Sequence, residues 1–171
     1  MGDCCNIPKQ PQLESASLCA ECSTKGRSIE RRTVLHHLRN EHLSRVGNGD
    51  YRFCAALDCS VVYYATSGER FTVDDVREAV TAKTVGNARP LCYCFGFTEG
   101  DIRKEMAQTG ETKIPAQISQ FIKEKLCACE ARNPSGTCCL GQVNQTIKRF
   151  SNGDKEAPGL VLALEVNCCA G

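Results

Sequence analysis

Apolar residues recur at helical spacing in four stretches and form strand-like runs in three, and these seven stretches lay out the chain. Val34, Leu35, Leu38 and Leu43 predict a short helix over 33–43, led in by Ser28 or Thr33 and closed by Gly47-Asn48-Gly49-Asp50. Tyr51-Arg52-Phe53-Cys54 and Val61-Val62-Tyr63-Tyr64 are rich in aromatic and β-branched residues and read as two strands. In the second half, Ile102 and Met106 predict a helix capped by Thr98 and Asp101 and stopped by Gly110. Another begins near Lys113, with Ile114, Ile118, Phe121 and Ile122 on one face, and runs to Cys127. A third opens at Cys139 and carries Leu140, Val143, Ile147 and Phe150. Leu160 to Val166 completes the pattern as a strand.

Between Thr66 and Arg89 the pattern is ambiguous. Thr72-Val73-Asp74-Asp75 resembles a capping box that would open a turn of helix, and Val76 to Val85 then reads as an edge strand. Gly86-Asn87-Ala88-Arg89-Pro90 reads as a boundary between two subdomains. Residues 1–17, with Pro8 and Pro11 among polar neighbours, read as a flexible tail.

Composition changes this picture through one residue type. Fourteen of 171 residues are cysteine, roughly 8%, the level at which a disulfide scaffold has to be weighed. Met1-Gly2-Asp3-Cys4-Cys5 has neither a basic region nor an apolar run, so the expectation is a cytoplasmic chain without a signal peptide or membrane insertion. In a reducing compartment, close cysteine pairs are metal ligands more often than disulfides. Adjacent pairs such as Cys138-Cys139 lack the geometry for a relaxed bridge. A formal charge of +1 offers no field to nucleic acid.

Cys19-x-x-Cys22 and the loop from Cys54 to Cys59 are two close pairs separated by about thirty residues, the spacing of a structural Cys4 zinc site. The competing reading is that one or two of these are buried thiols packing as small apolar residues. His42 could replace a cysteine, although solvated or hydrogen-bonded surface places are expected for His36, His37 and His42 alike. In the second half Cys92 and Cys94 precede a helix, and Cys127, Cys129, Cys138 and Cys139 lie within thirteen residues around an Asn-Pro-Ser-Gly turn. Such thiols suit a soft or multi-iron centre. No nucleophile–base pair is evident, and a fully thiolate zinc leaves no open position for water, so no enzyme is expected.

Cys92-x-Cys94, a helical pair and a last cysteine at a helix start resemble the [2Fe-2S] fold of bacterioferritin-associated ferredoxin. Cys127-x-Cys129-Glu-x-x-Asn-Pro-x-Gly-x-Cys138-Cys139-Leu-Gly is similar to the iron–sulfur portion of CopZ-type copper chaperones, and the unit from Cys19 through Tyr64 resembles the zinc-binding domain preceding it there. The resemblance implies an α+β chain: tail 1–17, zinc-binding domain 18–89 of one helix plus strands, three-helix [2Fe-2S] domain 90–150, and strand with tail 151–171. It implies Zn²⁺ on Cys19, Cys22, Cys54 and Cys59, and the cluster on Cys92, Cys94, Cys129 and Cys139. Cys127 and Cys138 stand as alternates. Tyr93 and Phe95 are then expected to shield the cluster from water.

A ferredoxin-like copper-carrying module follows the cluster domain in such chaperones, and the stretch after Ser151 is too short for it. The adjacent pairs Cys4-Cys5 and Cys168-Cys169 are candidates to take its place, since two thiolates can pass Cu⁺ or Hg²⁺ by ligand exchange. The resemblance makes the expected partner a metal-exporting P-type ATPase or other soft-metal acceptor, with a reductase as a further candidate. Two functions follow: a metallochaperone whose cluster serves redox, such as reduction of Cu(II) to Cu(I), or a [2Fe-2S] electron carrier with no delivery role.

Overall fold

The computed structural model describes residues 17–153. The tail cysteines Cys4, Cys5, Cys168 and Cys169 and the expected strand at 160–166 lie outside the described residues.

Four strands, β1 (Arg27–Ile29), β2 (Tyr51–Phe53), β3 (Val61–Ala65) and β4 (Arg70–Thr72), pair antiparallel in chain order. The register sets Arg27 opposite Phe53, Phe53 opposite Tyr63 and Tyr64 opposite Arg70. β3 is buried along its whole length, and its residues divide between two clusters. Val62, Tyr63 and Ala65 join Ile29, Val34, Leu38, Phe53 and Phe71 in the main core. Val61 and Tyr64 pack instead with Cys19, Cys54 and Cys59. Thiols thus complete one side of a sheet whose strands are too short to bury it alone.

The helix expected over 33–43 is shorter and earlier: α1 spans Arg31–His37. Leu38 turns to extended backbone (ψ 146°), and the chain continues as a 3₁₀ turn, Asn40–Arg45. The cause is competition for backbone partners. The Arg77 amide donates to His37 O (2.8 Å) and the Arg39 amide to Asp75 O (2.9 Å), which draws Leu38 into a bridge with Val76. The strand expected over 76–85 is not formed. Val76 and Val80 are buried singly in the core, and Thr81–Lys83 forms a 3₁₀ turn. The Thr72/Asp75 capping bonds do exist, with the Thr72 amide donating to Asp75 Oδ2 at 2.7 Å, but they close a turn and start no helix.

The second half begins with a hairpin, β5 (Pro90–Cys92) and β6 (Phe97–Thr98). Helices α2 (Glu99–Thr109), α3 (Ile114–Lys123), the single turn α4 (Cys129–Arg132) and α5 (Leu140–Ser151) follow. Thr98 and Asp101 form a reciprocal capping box on α2, and Gly110 ends it in the left-handed region (φ 78°). Where three helices were expected, the structure adds α4 and the hairpin. Leu91, Ile102, Ile114, Ile118 and Val143 are fully buried together with Cys92 and Cys139, so this core is built around thiols.

A buried charge cluster joins these elements. Glu99 is fully buried, and its Oε2 meets Arg89 at 3.1 Å and Arg149 at 3.2 Å while Oε1 faces Arg103 at 3.6 Å. Arg89 also donates to Thr81 O (2.9 Å), so the linker, α2 and α5 are tied through one carboxylate.

Candidate metal centres

The first centre is assembled by two tight loops. After Cys19 the chain turns back through Ser23 in the left-handed region, and the Cys19 amide donates to Thr24 O. Cys54 and Cys59 bracket the loop that joins β2 to β3, pinned by the Cys54 amide on Val62 O (2.9 Å). The four sulfurs of Cys19, Cys22, Cys54 and Cys59 all lie within 4.8 Å of one another. Cys22 and Cys54 approach to 3.5 Å, Cys19 and Cys59 to 3.9 Å. A regular tetrahedron with Zn–S bonds near 2.3 Å has sulfur edges of about 3.8 Å. The Cys22–Cys54 and Cys19–Cys59 edges bracket that value, so the residues fit a zinc ion.

Burial and hydrogen bonding shift these thiols in opposite directions. Burial pushes the Cys59 thiol up to about 12 and raises Cys54. Burial acts the same way on Cys22, but bonds from Thr24, Cys54 and Cys59 outweigh it and bring that thiol down to about 6. A metal bound here would take the place of the protons that burial keeps on Cys54 and Cys59. Lys83 supplies positive charge from outside, its Nζ 3.6 Å from Cys54 Sγ and also donating to Ala56 O.

The second group of thiols comes from three places. Cys92 ends β5, and Cys94 sits in the hairpin turn, closed by the Gly96 amide on Cys92 O (2.8 Å). Cys129 opens α4, and Cys139 is the residue before α5, whose carbonyl accepts from the Val143 amide (3.0 Å). Cys94 and Cys129 sulfurs are 3.8 Å apart, and Cys92 and Cys139 are buried in one cluster. Among the described residues only the first group has all its sulfurs within 4.8 Å, so this second pocket is wider than a single-ion site. A four-thiolate cluster spreads its ligands over two irons, and the donor set fits that. Bonds from Cys139 bring Cys92 down to about 7 and Cys129 to about 6, against burial, whereas donating those bonds raises Cys139 strongly. Burial pushes Cys94 up to about 11. Cys127 is half-buried and Cys138 exposed at the edge of the pocket. All ten cysteines among the described residues are free thiols.

The two centres share a wall. The Asn133-Pro-Ser-Gly turn is closed by Asn133, which accepts from the Ser135 amide (3.0 Å) and donates to Thr137 O (2.8 Å). Gly136 has φ 67°, and a Cβ there would stand 2.6 Å from Ile29 Cδ1, so the turn lies directly on β1. Thr33 on α1 donates to Glu130 O at 2.6 Å, and Tyr63 on β3 donates to Pro134 O at 2.9 Å. The unit that carries the first four thiols thereby holds α4, which carries Cys129, and the turn after it.

Residues 16–77 match the CopZ-type family described as a zinc binding domain. Copper chaperone CopZ of Archaeoglobus fulgidus is 29% identical over 153 residues, covering 90% of this chain and 72% of that protein. The X-ray structure of the N-terminal domain of that CopZ superposes with a TM-score of 0.62 at 28% identity, covering 75% of this chain and 95% of the domain. The chain is thus similar to a copper chaperone over most of its length.

Two expectations need correction. His37 was expected at the surface with His36 and His42, and it is buried (2% exposed), its ring 6.1 Å from that of Tyr93. Burial, with the neighbouring His36 charge, holds its imidazole down to about 4. Tyr93 turns toward that wall: its hydroxyl accepts from the Thr81 amide (2.9 Å) and donates to Ala79 O (2.8 Å). Phe95 packs against the core that holds Cys92 and Cys139, its ring 4.6 Å from that of Phe121 and tilted by 45°. His42 pairs with Asp75 at 3.1 Å, away from the thiols. Sequence reasoning missed Lys83, Thr33 and Tyr63 as supports of the centres, and nothing local marks them. Among the described residues, no helix is long and apolar enough to cross a membrane.

Proposed function

We propose that this chain is a cytoplasmic metallochaperone, not an enzyme, that binds a soft metal ion and delivers it to an acceptor such as a metal-exporting P-type ATPase. Cu(I) is the cargo this reading favours, with Hg(II) as a second. The observation that carries it is the closed four-thiol group of Cys19, Cys22, Cys54 and Cys59 in a chain similar to a copper chaperone. Four cysteine ligands with no water position would make a zinc held there structural, in place of apolar core on the thiol side of β3.

Cys92, Cys94, Cys129 and Cys139 would hold a [2Fe-2S] cluster. When bound, such a centre supplies one-electron chemistry, including reduction of Cu(II) to Cu(I). The chain's part is to exclude water with Leu91, Ile102, Ile118 and Val143, and to hold Cys139 at the start of α5. The reductase remains a candidate partner in this reading. Cys4-Cys5 and Cys168-Cys169 are the proposed exchange thiols. A second reading, an electron carrier, is supported by the partly exposed Cys94 and Cys127, which leave the pocket open to a partner on one side.

Anaerobic Cu(I) competition against a chelator, followed by delivery to a thiol acceptor, tests the proposal. Delivery that disappears when both terminal pairs are replaced by serine supports it. A chain that takes up no Cu(I) sinks the chaperone reading and leaves the electron carrier.

A further inference from the structure

Three hydrogen bonds close a ring between two of the segments that carry the second group of thiols. The Ala128 amide donates to Cys94 Sγ at 3.4 Å, the Arg132 amide to Ala128 O at 2.8 Å, and Arg132 Nη2 to Tyr93 O at 3.1 Å. Tyr93 separates Cys92 from Cys94, and Arg132 ends the single turn α4 that Cys129 opens. Tyr93 is also held at its far end, where its hydroxyl bonds the Thr81 amide and Ala79 O. One side chain of α4 thus grips the main chain between two thiols of the hairpin, and the sulfurs of Cys94 and Cys129 stand 3.8 Å apart.

We propose that Arg132 is a positioning residue for the second centre, clamping the Cys92–Cys94 segment to α4 and so fixing Cys94 against Cys129. The proposal rests on assigning a [2Fe-2S] cluster to Cys92, Cys94, Cys129 and Cys139. The clamp keeps the Ala128 amide on Cys94 Sγ. A hydrogen bond to a ligand sulfur, like a nearby positive charge, stabilises the reduced and more negative form of a cluster held there and raises its potential. Joining the two segments beforehand also lowers the entropy cost of gathering their thiols, which favours retention of iron. A guanidinium suits the place because it is always charged, and a cationic donor binds a carbonyl more strongly than a neutral one. Arg132 is exposed, so water and salt screen its charge, and the geometry it imposes carries the larger part of the effect.

The test uses the full chain purified anaerobically, with zinc, iron and sulfide counted and the potential read by a mediated redox titration of the visible spectrum. Arg132→Gln, neutral and shorter, should weaken iron retention against a chelator roughly tenfold to a hundredfold, with zinc unchanged. It should also lower the potential by about 59 mV, a tenfold change for one electron. Arg132→Lys keeps a cationic donor of similar reach and should restore most of both. Retention and potential at parent values in Arg132→Gln overturn the proposal. Iron loss at unchanged potential, the mark of a merely structural part, does the same, as does a lysine variant no better than the glutamine one. Where Arg132→Gln holds no iron, the lysine variant decides: iron retained near the parent potential supports the clamp, and an equally empty chain overturns it. A parent chain without iron and sulfide removes the cluster reading itself, and the proposal with it.

Discussion

The wall between the two centres makes a prediction that can be sized from its contacts. Thr33→Val and Tyr63→Phe remove one hydroxyl each while preserving shape, and each orphans a carbonyl, Glu130 O and Pro134 O. Both side chains are fully buried, so water cannot readily replace the donor. Each loss costs about 1 kcal/mol, rising toward 2 where the carbonyl stays dry. The two bonds hold one turn, so their sum of about 2–3 kcal/mol is not assumed additive. If it falls on docking of residues 127–137 against α1 and β3, opening of that segment rises roughly thirtyfold to a hundredfold. Amide hydrogen exchange in zinc-loaded protein reads this directly, with β2 and β3 as internal reference. The double variant should speed exchange in residues 127–137 while the sheet and the zinc content stay as in the parent. Exchange accelerated equally everywhere, or not at all, would refute the idea that the zinc-bearing unit positions Cys129.

Other residues give independent tests. Glu99→Gln leaves Arg89, Arg103 and Arg149 without their counter-charge in a buried site, and the cost should be about 3–5 kcal/mol by urea unfolding; a loss under about 1 kcal/mol would mean that water reaches the cluster. His37 is held neutral, with its pKa lowered to about 4 from 6.5, so the unfolded chain binds the extra proton as pH falls. The stability this provides is whole above pH 6.5 and is lost toward pH 4, on the order of 3 kcal/mol. His37→Leu should flatten that part of the profile relative to the parent, whose thiols supply a shared background; equal slopes would contradict burial of a neutral ring. Lys83→Met removes the ammonium beside Cys54 Sγ, and zinc retention against a chelator should fall roughly tenfold to a hundredfold.

What could be read from the sequence was whatever a local pattern encodes. α2 followed from apolar spacing and end signals, because its caps, Thr98/Asp101 and Gly110, lie in the same few residues as the helix, and α5 followed from apolar spacing. β2 and β3 followed from aromatic and β-branched runs. The break at Leu38 and the irregular path of Val76 to Val85 did not, because each is settled by the other, more than thirty residues away. β1 escaped notice because only Ile29 of its three residues is buried. For the sites, spacing singled out the cysteines, and folding brings Cys19/Cys22 against Cys54/Cys59 and Cys94 against Cys129. Burial of His37 and the supports Thr33, Tyr63 and Lys83 are properties of the docked surfaces, and a histidine or threonine on a short helix carries no local sign of them.

The central claim is that two thiol groups hold two different centres, zinc on the first and iron–sulfur on the second. Metal and sulfide analysis of the anaerobically purified chain, with and without Cys92, Cys94, Cys129 and Cys139 replaced by serine, tests it most directly. The account predicts one zinc, two irons and two sulfides per chain in the parent, and zinc alone in the variant. Zinc in both groups with no iron, or iron and sulfide surviving the substitutions, would contradict it.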